Sequence, residues 1–147
     1  HMSLSGLPYI HSDAGGFAQG ARDDELYTRW LQFACFTPIL RPHGQSETLP
    51  SEPVYFSKQT QDIARKYMNL RYRLLPYIYS LSAQATLKGY PMMRPLFFEF
   101  PDDECYTISN EYLFGSELLV APVLKSGQKI RTVYLPKSTK WYDFHTN

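Results

Sequence analysis

Ile10-His11-Ser12-Asp13-Ala14-Gly15-Gly16-Phe17 is the stretch whose reading decides the fold. A strand-like apolar run over residues 7–10 leads into a carboxylate, and the glycine pair behind it lets the backbone fold tightly against whatever Asp13 faces. Further on, a second short apolar run at residues 38–40 again finishes on polar groups, Arg41 and His43, with one helix's worth of sequence between the two runs. Strand, polar tip, helix, strand, polar tip is the rhythm of a parallel β/α unit, whose functional residues sit at and just beyond the C-terminal ends of its strands. Asp13, Arg41 and His43 are therefore expected as neighbours on one rim.

Outward from that stretch, Asp23 and Asp24 stand before Glu25-Leu26-Tyr27, an acidic first turn suited to the positive end of a helix dipole. Leu26, Trp30 and Phe33 recur at helical spacing, and Tyr27, Leu31 and Ala34 fill an adjoining stripe. So wide an apolar arc predicts a buried helix with Trp30 in the core. Pro38 bounds it. Residues 41–54, broken by Pro42, Gly44, Pro50 and Pro53, read as a long loop, and such loops usually build sites. Ser57 caps a helical pattern over residues 58–88 with apolar Ile63, Tyr67, Leu70, Leu74, Ile78 and Leu81 on one face, and Gly89 stops it. Pro76 is expected to kink or divide that helix. Tyr67, Tyr72, Tyr77 and Tyr79 on it read as core packing. Beyond Gly89 the texture changes to short β-like runs at 96–100, 118–124, 130–135 and 141–144, with Ser126-Gly127 as a hairpin-type turn. The change marks a domain boundary near residues 89–102.

The chain has 147 residues and a net charge of +1, so no strong field draws it to nucleic acid or to an anionic membrane. No apolar segment reaches membrane-spanning length. Twelve Tyr, nine Phe and two Trp are enough aromatics both to fill interiors and to wall a site for sugars or other rings. The two cysteines have neither metal spacing nor a disulfide-framework count; Cys35 reads as a core thiol and Cys105 as part of a polar loop. His11, Asp13 and His43 lack a diagnostic metal-ligand spacing, so a metal site is not expected of them. The abrupt start close to a strand, and a last β-like run that breaks off at Asn147, read as a piece of a longer sequence whose second domain is truncated.

Ser12-Asp13-Ala14-Gly15-Gly16-Phe17, Glu25-Leu26 with Arg29-Trp30 and Gln32, Phe36-Thr37-Pro38 and Arg41-Pro42-His43 together resemble the later barrel strands of the family 31 glycoside hydrolases, the family of α-glucosidases and α-xylosidases. Glu52-Pro53, Leu70-Arg71-Tyr72-Arg73-Leu74-Leu75-Pro76-Tyr77, Arg94-Pro95-Leu96-Phe97, Phe114-Gly115, Val120-Ala121-Pro122-Val123 and Tyr134-Leu135-Pro136 continue the resemblance in order and spacing over nearly the whole chain. One departure is Ala14-Gly15, where relatives often carry bulkier residues.

The resemblance implies an α/β fold: the last two β/α units of a TIM (β/α)8 barrel over residues 1–93, then a partial antiparallel β domain, the start of a C-terminal β-sandwich, over residues 94–147. Members retain anomeric configuration with two aspartates, a nucleophile and a general acid/base. Neither of those motifs has a counterpart in this sequence, so no catalytic residue is expected within it. By resemblance, Asp13 lies on the floor of the sugar pocket, Phe17 lines it, His43 hydrogen-bonds a sugar hydroxyl, and Arg41 supports carboxylates from behind. The implied partners are a carbohydrate substrate and the rest of the parent chain, with neither nucleic acid nor membrane, and exposed barrel edges predict self-association of the chain alone. A noncatalytic carbohydrate-binding unit and a purely structural piece are the other readings.

Overall fold

The computed structural model describes residues 2–18, 21–45, 50–137 and 139–146. Helix α1 spans Asp24–Ala34, and the Asp23 carboxylate caps it by accepting from the Leu26 amide at 2.8 Å. Helix α2 spans Lys58–Arg73, capped by the Ser57 hydroxyl, which accepts from the Thr60 amide. The two helices pack through Tyr27, Leu31 and Ala64, with Leu40, Phe56 and Met68 around them. Asp24 ties their N-termini together, accepting from the Ser57 amide at 3.1 Å and the Thr60 hydroxyl at 2.8 Å.

The expected long helix is divided. Helix α3 runs Leu75–Lys88 and starts where α2 ends, with Leu74 as the shared cap residue. Pro76 falls in the first turn of α3, where a missing N–H leaves no helical bond unmade. Gly89, with φ +72°, closes α3 in the left-handed conformation.

Three short strands follow: β1, Met93–Arg94; β2, Tyr112–Phe114; and β3, Leu118–Val120. They form an antiparallel sheet in the order β1-β2-β3, with Met93 opposite Phe114 and Leu113 opposite Leu119. The alternation of a strand puts successive side chains on opposite faces. Phe114 accordingly joins Ile78, Leu81, Ala85 and Met92 on the α3 side, while Leu113 joins Leu96 and Cys105 on the other. Gly115 turns β2 towards β3 with φ +69°, and a Cβ there would collide with the Tyr77 hydroxyl, which donates to the Phe114 carbonyl at 2.7 Å.

Several expectations are corrected. Residues 7–10 and 38–40 build no ladder; the two segments meet further along, in a single parallel bridge between Ala14 and Pro42. Each has at most one neighbour among the described residues, whereas parallel strands gain their order from neighbours on both sides and cover on both faces. Leu96–Phe98 is a 3-10 turn, the predicted strand at 118–124 stops at Val120, and 130–135 and 141–144 join no ladder among the described residues. β1 and β2 were not anticipated, because runs of two or three residues are too short to show a period of two. The Ser126-Gly127 turn is present, with the Gln128 amide bonded to the Lys125 carbonyl, but it joins no paired strands. Trp30 is only half buried, and Tyr72 and Tyr79 face solvent. Cys35 is buried as expected, and so is Cys105. Within the expected loop 41–54, residues 46–49 lie outside the described residues.

Candidate functional site

Two segments meet at the bridge. The Ala14 amide donates to the Arg41 carbonyl at 3.0 Å, and the Gln45 amide donates to the Phe17 carbonyl at 2.9 Å. Segments 13–17 and 41–45 therefore run alongside each other. This lacing brings Asp13 to Arg41 and Phe17 to His43, so the four residues picked out in sequence do share one rim.

The Asp13 carboxylate is the electrostatic centre of that rim. Its Oδ1 lies 3.6 Å from Arg41 Nη2 and 3.7 Å from His11 Nδ1, too long for hydrogen bonds but close enough for charge attraction. That oxygen is itself shielded from solvent and has no hydrogen-bond partner among the described residues. A shielded carboxylate oxygen with a guanidinium and an imidazole beside it and no donor on it has room to accept a hydroxyl. Phe17 and His43 supply an apolar flank, their ring centroids 5.6 Å apart and their planes tilted by 44°. Phe17 is 45% exposed, so its face is open to a ligand.

The local sequence explains this shape. Gly15 takes φ +94°, and a Cβ on it would stand 2.7 Å from the Tyr27 ring. A glycine is therefore required for the Asp13 turn to lie down on α1. Tyr27 in turn stacks on Phe56 at 3.9 Å, and burial pushes its hydroxyl up to about 12, with the nearby Glu52 charge adding to the shift. Behind the rim, the Trp30 indole donates to the Ser12 hydroxyl at 2.8 Å. Trp30, expected in the core, instead lines a cavity of about 420 Å3 with Leu26, Phe33, Val123 and Leu124. Ser12 also lines that cavity, and Asp13, Phe17, Arg41 and His43 are not among its lining residues.

Sequence reasoning gave no role to two groups that tie the halves of the chain together. Glu25 accepts from the Ser126 hydroxyl at 2.9 Å and the Gly127 amide at 2.9 Å, latching α1 onto the 125–128 turn. Arg71, from the end of α2, donates to main-chain carbonyls at the exit of α1. Both lie in motifs noted above, but nothing in their spacing says what they touch. Among the described residues no three His, Cys, Asp or Glu side chains come together as a metal-binding group, and no helix is long and apolar enough to cross a membrane.

A parallel bridge between two segments, a helix following each, and Asp13, Arg41, Phe17 and His43 on either side of the bridge are consistent with the β/α class. The particular family is given by comparison. The model for the "Glycosyl hydrolases family 31 TIM-barrel domain" matches residues 1–81, and that for the "Glycosyl hydrolase family 31 C-terminal domain" matches residues 89–147. The chain belongs to glycoside hydrolase family 31.

An alpha-xylosidase of Saccharolobus solfataricus is 42% identical over 99% of this chain, which covers 20% of that protein. Alpha-glucosidase 2 of Bacillus thermoamyloliquefaciens is also 42% identical over 99%, covering 18%. Among solved structures, a GH31 alpha-xylosidase from a soil metagenome complexed with xylose superposes with a TM-score of 0.86 at 36% identity, over 92% of this chain and 23% of that one. The glucosidase II alpha subunit, in a Tris-bound form, matches 99% of this chain and 16% of its own with a TM-score of 0.93 at 31% identity. The chain thus spans about a fifth of the length of these relatives.

Proposed function

We propose that this chain forms one wall of the sugar pocket of a retaining α-glycosidase of the α-glucosidase or α-xylosidase type, acting on terminal α-linked sugars. In this reading it supplies the last two β/α units of the barrel, followed by a partial antiparallel β domain that buttresses it. The division falls at residues 93 and 94; the β1 strand straddles it. The nucleophile and the acid/base, the carboxylates such chemistry needs, come from sequence other than these 147 residues.

The observation that carries the reading is Asp13: a carboxylate oxygen shielded from solvent, flanked by Arg41 and His11, with no hydrogen bond made to it among the described residues. Asp13 forms the pocket floor, with Arg41 holding its charge in place. Phe17 presents a face to the sugar ring, and His43 bonds a sugar hydroxyl. Such contacts accelerate the reaction to the extent that they strengthen as the ring flattens towards an oxocarbenium-like transition state. Substrate carbohydrate and the rest of the parent chain are the partners, and nucleic acid and membranes are not among them. Alone, the chain self-associates through surfaces such as Leu26 and Leu124, 50% and 66% exposed; a monomeric sedimentation profile at high concentration would count against that.

Hydrolysis of p-nitrophenyl α-glucoside and α-xyloside, by this chain and by the glycosidase that carries it, tests the assignment. Activity is expected in the latter only. In that enzyme His43→Ala is expected to lower kcat/KM by about 100-fold, the equivalent of roughly 3 kcal/mol, with an unchanged melting temperature. Kinetics within twofold of the parent would remove His43 from the pocket, and turnover by the chain alone would place a complete carboxylate pair inside it.

A further inference from the structure

The Leu70-Arg71-Tyr72 motif has no part in the pocket just described, yet it reaches the pocket's foundations. Arg71 sits in the last turn of α2 and extends its guanidinium across to the exit of α1. Nη1 donates to the carbonyls of Cys35, at 2.9 Å, and of Thr37; Nη2 donates to that of Pro38 at 2.7 Å. Cys35 is the C-cap of α1, where a helix end leaves carbonyls without partners and favours a cation, and Thr37 and Pro38 follow it in the turn beyond. Burial lowers the pKa of Arg71.

The segment so held leads directly to the rim. Thr37, itself buried, has its hydroxyl at 2.8 Å from both the Ala34 and Ile39 carbonyls, so the turn is tied from within as well. Leu40 packs into the α1–α2 core. Arg41 then accepts from the Ala14 amide, and His43 meets Phe17. Between the last carbonyl that Arg71 holds and the His43 ring there are only a few residues of chain. One guanidinium on α2 is thus bonded to the segment that leaves α1 at three of its carbonyls.

We propose that Arg71 is a positioning residue for the rim: it fixes the α1 exit so that the Arg41 carbonyl meets Ala14 and the His43 ring stands against Phe17. The proposal rests on the pocket reading for its functional consequence, but its geometric content is separate. A planar fork reaching carbonyls of three residues is a task for arginine, and the compact ammonium of lysine does not span them.

Two measurements test it. The first is a double-variant cycle in the glycosidase that carries this sequence. Arg71→Ala is expected to lower kcat/KM about tenfold or more in the parent and less than twofold in a His43→Ala background, because its effect passes through His43. Arg71→Lys is expected to recover part of the loss, and it carries the same cycle should Arg71→Ala fail to fold. Losses that multiply in the double variant, or an Arg71→Ala enzyme within twofold of the parent when His43→Ala is itself impaired, overturn the proposal. The second is amide hydrogen exchange in the same glycosidase. Arg71→Lys is expected to speed exchange at Ala14 about tenfold and leave Gly115, whose amide donates to the Met92 carbonyl at 2.8 Å, unchanged. Equal change at both sites, or none at Ala14, overturns it. Should His43→Ala prove kinetically silent while Ala14 exchange responds to Arg71, the pocket reading fails and the positioning of the rim stands.

Discussion

Asp13 and Glu111 are both shielded carboxylates, one at each end of the chain, and they are treated in opposite ways. Glu111 Oε1 accepts from the Tyr134 amide at 2.9 Å and from Arg131 at 3.3 Å, and Arg131 reaches on to the Asn110 and Pro122 carbonyls. Only Glu111 Oε2 is left without a partner among the described residues. The side chains of the pair are 2% and 11% exposed, so the ions are held dry and hydrogen-bonded. Asp13 has the Arg41 guanidinium and the His11 imidazole beside it at 3.6 and 3.7 Å but no hydrogen bond to Oδ1, and its Arg41 partner is 52% exposed. The C-terminal carboxylate is used up in holding the chain together. Asp13 Oδ1 makes no such bond among the described residues.

That contrast is broken most directly by removing each charge. Glu111→Gln leaves Arg131 buried without its counter-ion and is expected to cost about 3–5 kcal/mol of stability in urea unfolding. Asp13→Asn, which disturbs only a 3.6 Å attraction to the half-exposed Arg41 guanidinium, is expected to cost less than about 1 kcal/mol. Equal losses would show that Asp13 is as structural as Glu111.

Glycines sharpen the comparison. Gly115→Ala meets both a positive φ and the Tyr77 hydroxyl, and is expected to cost about 2–4 kcal/mol, left-handed strain added to overpacking. Gly127→Ala, at φ +68° with open space around it, is expected to cost about 1 kcal/mol from strain alone. Thermal melts of the two variants measure the difference, and a Gly127 cost as large as that at Gly115 would remove the steric part of the explanation.

The smallest effect is a pH dependence. Hydrogen bonds from Ser57 and Thr60 hold the Asp24 carboxyl below the usual range. Because the folded value is depressed, the stabilisation is present above the unfolded value, near 4, and is lost as pH falls through the folded value. Asp24→Asn is therefore expected to lower stability at pH 7 and to change it little at pH 2. A difference that does not vary with pH would contradict that linkage.

Legibility tracked the length over which a signal was written. Asp23, Ser57 and Gly89 marked helix ends correctly because capping is a local event, completed within a turn. Pro76 likewise announced the division of the long helix. The strands were read poorly: β1 and β2 owe their existence to each other and to the hydrophobic bed under α3, so residues 93–94 and 112–114 carry no period of their own. The rim was legible because glycine at position 15 is needed for a tight approach and polar residues close each apolar run. Trp30 was misplaced because periodicity says which side chains share a face and not what covers that face.

By itself the sequence determined the helices, their caps, the family and the set of residues on the rim, since each rests on local chemistry or on motif order. Only the tertiary structure decided which partners meet: Arg71 with the exit of α1, Glu25 with the 126–127 turn, Glu111 with Arg131, and Asp13 with no hydrogen-bond donor at Oδ1 among the described residues. The reason is physical. A side chain's type sets the bonds it is able to make, but which bond it makes depends on groups tens of residues away, brought within about 3 Å by burial of surfaces that no short window of sequence contains.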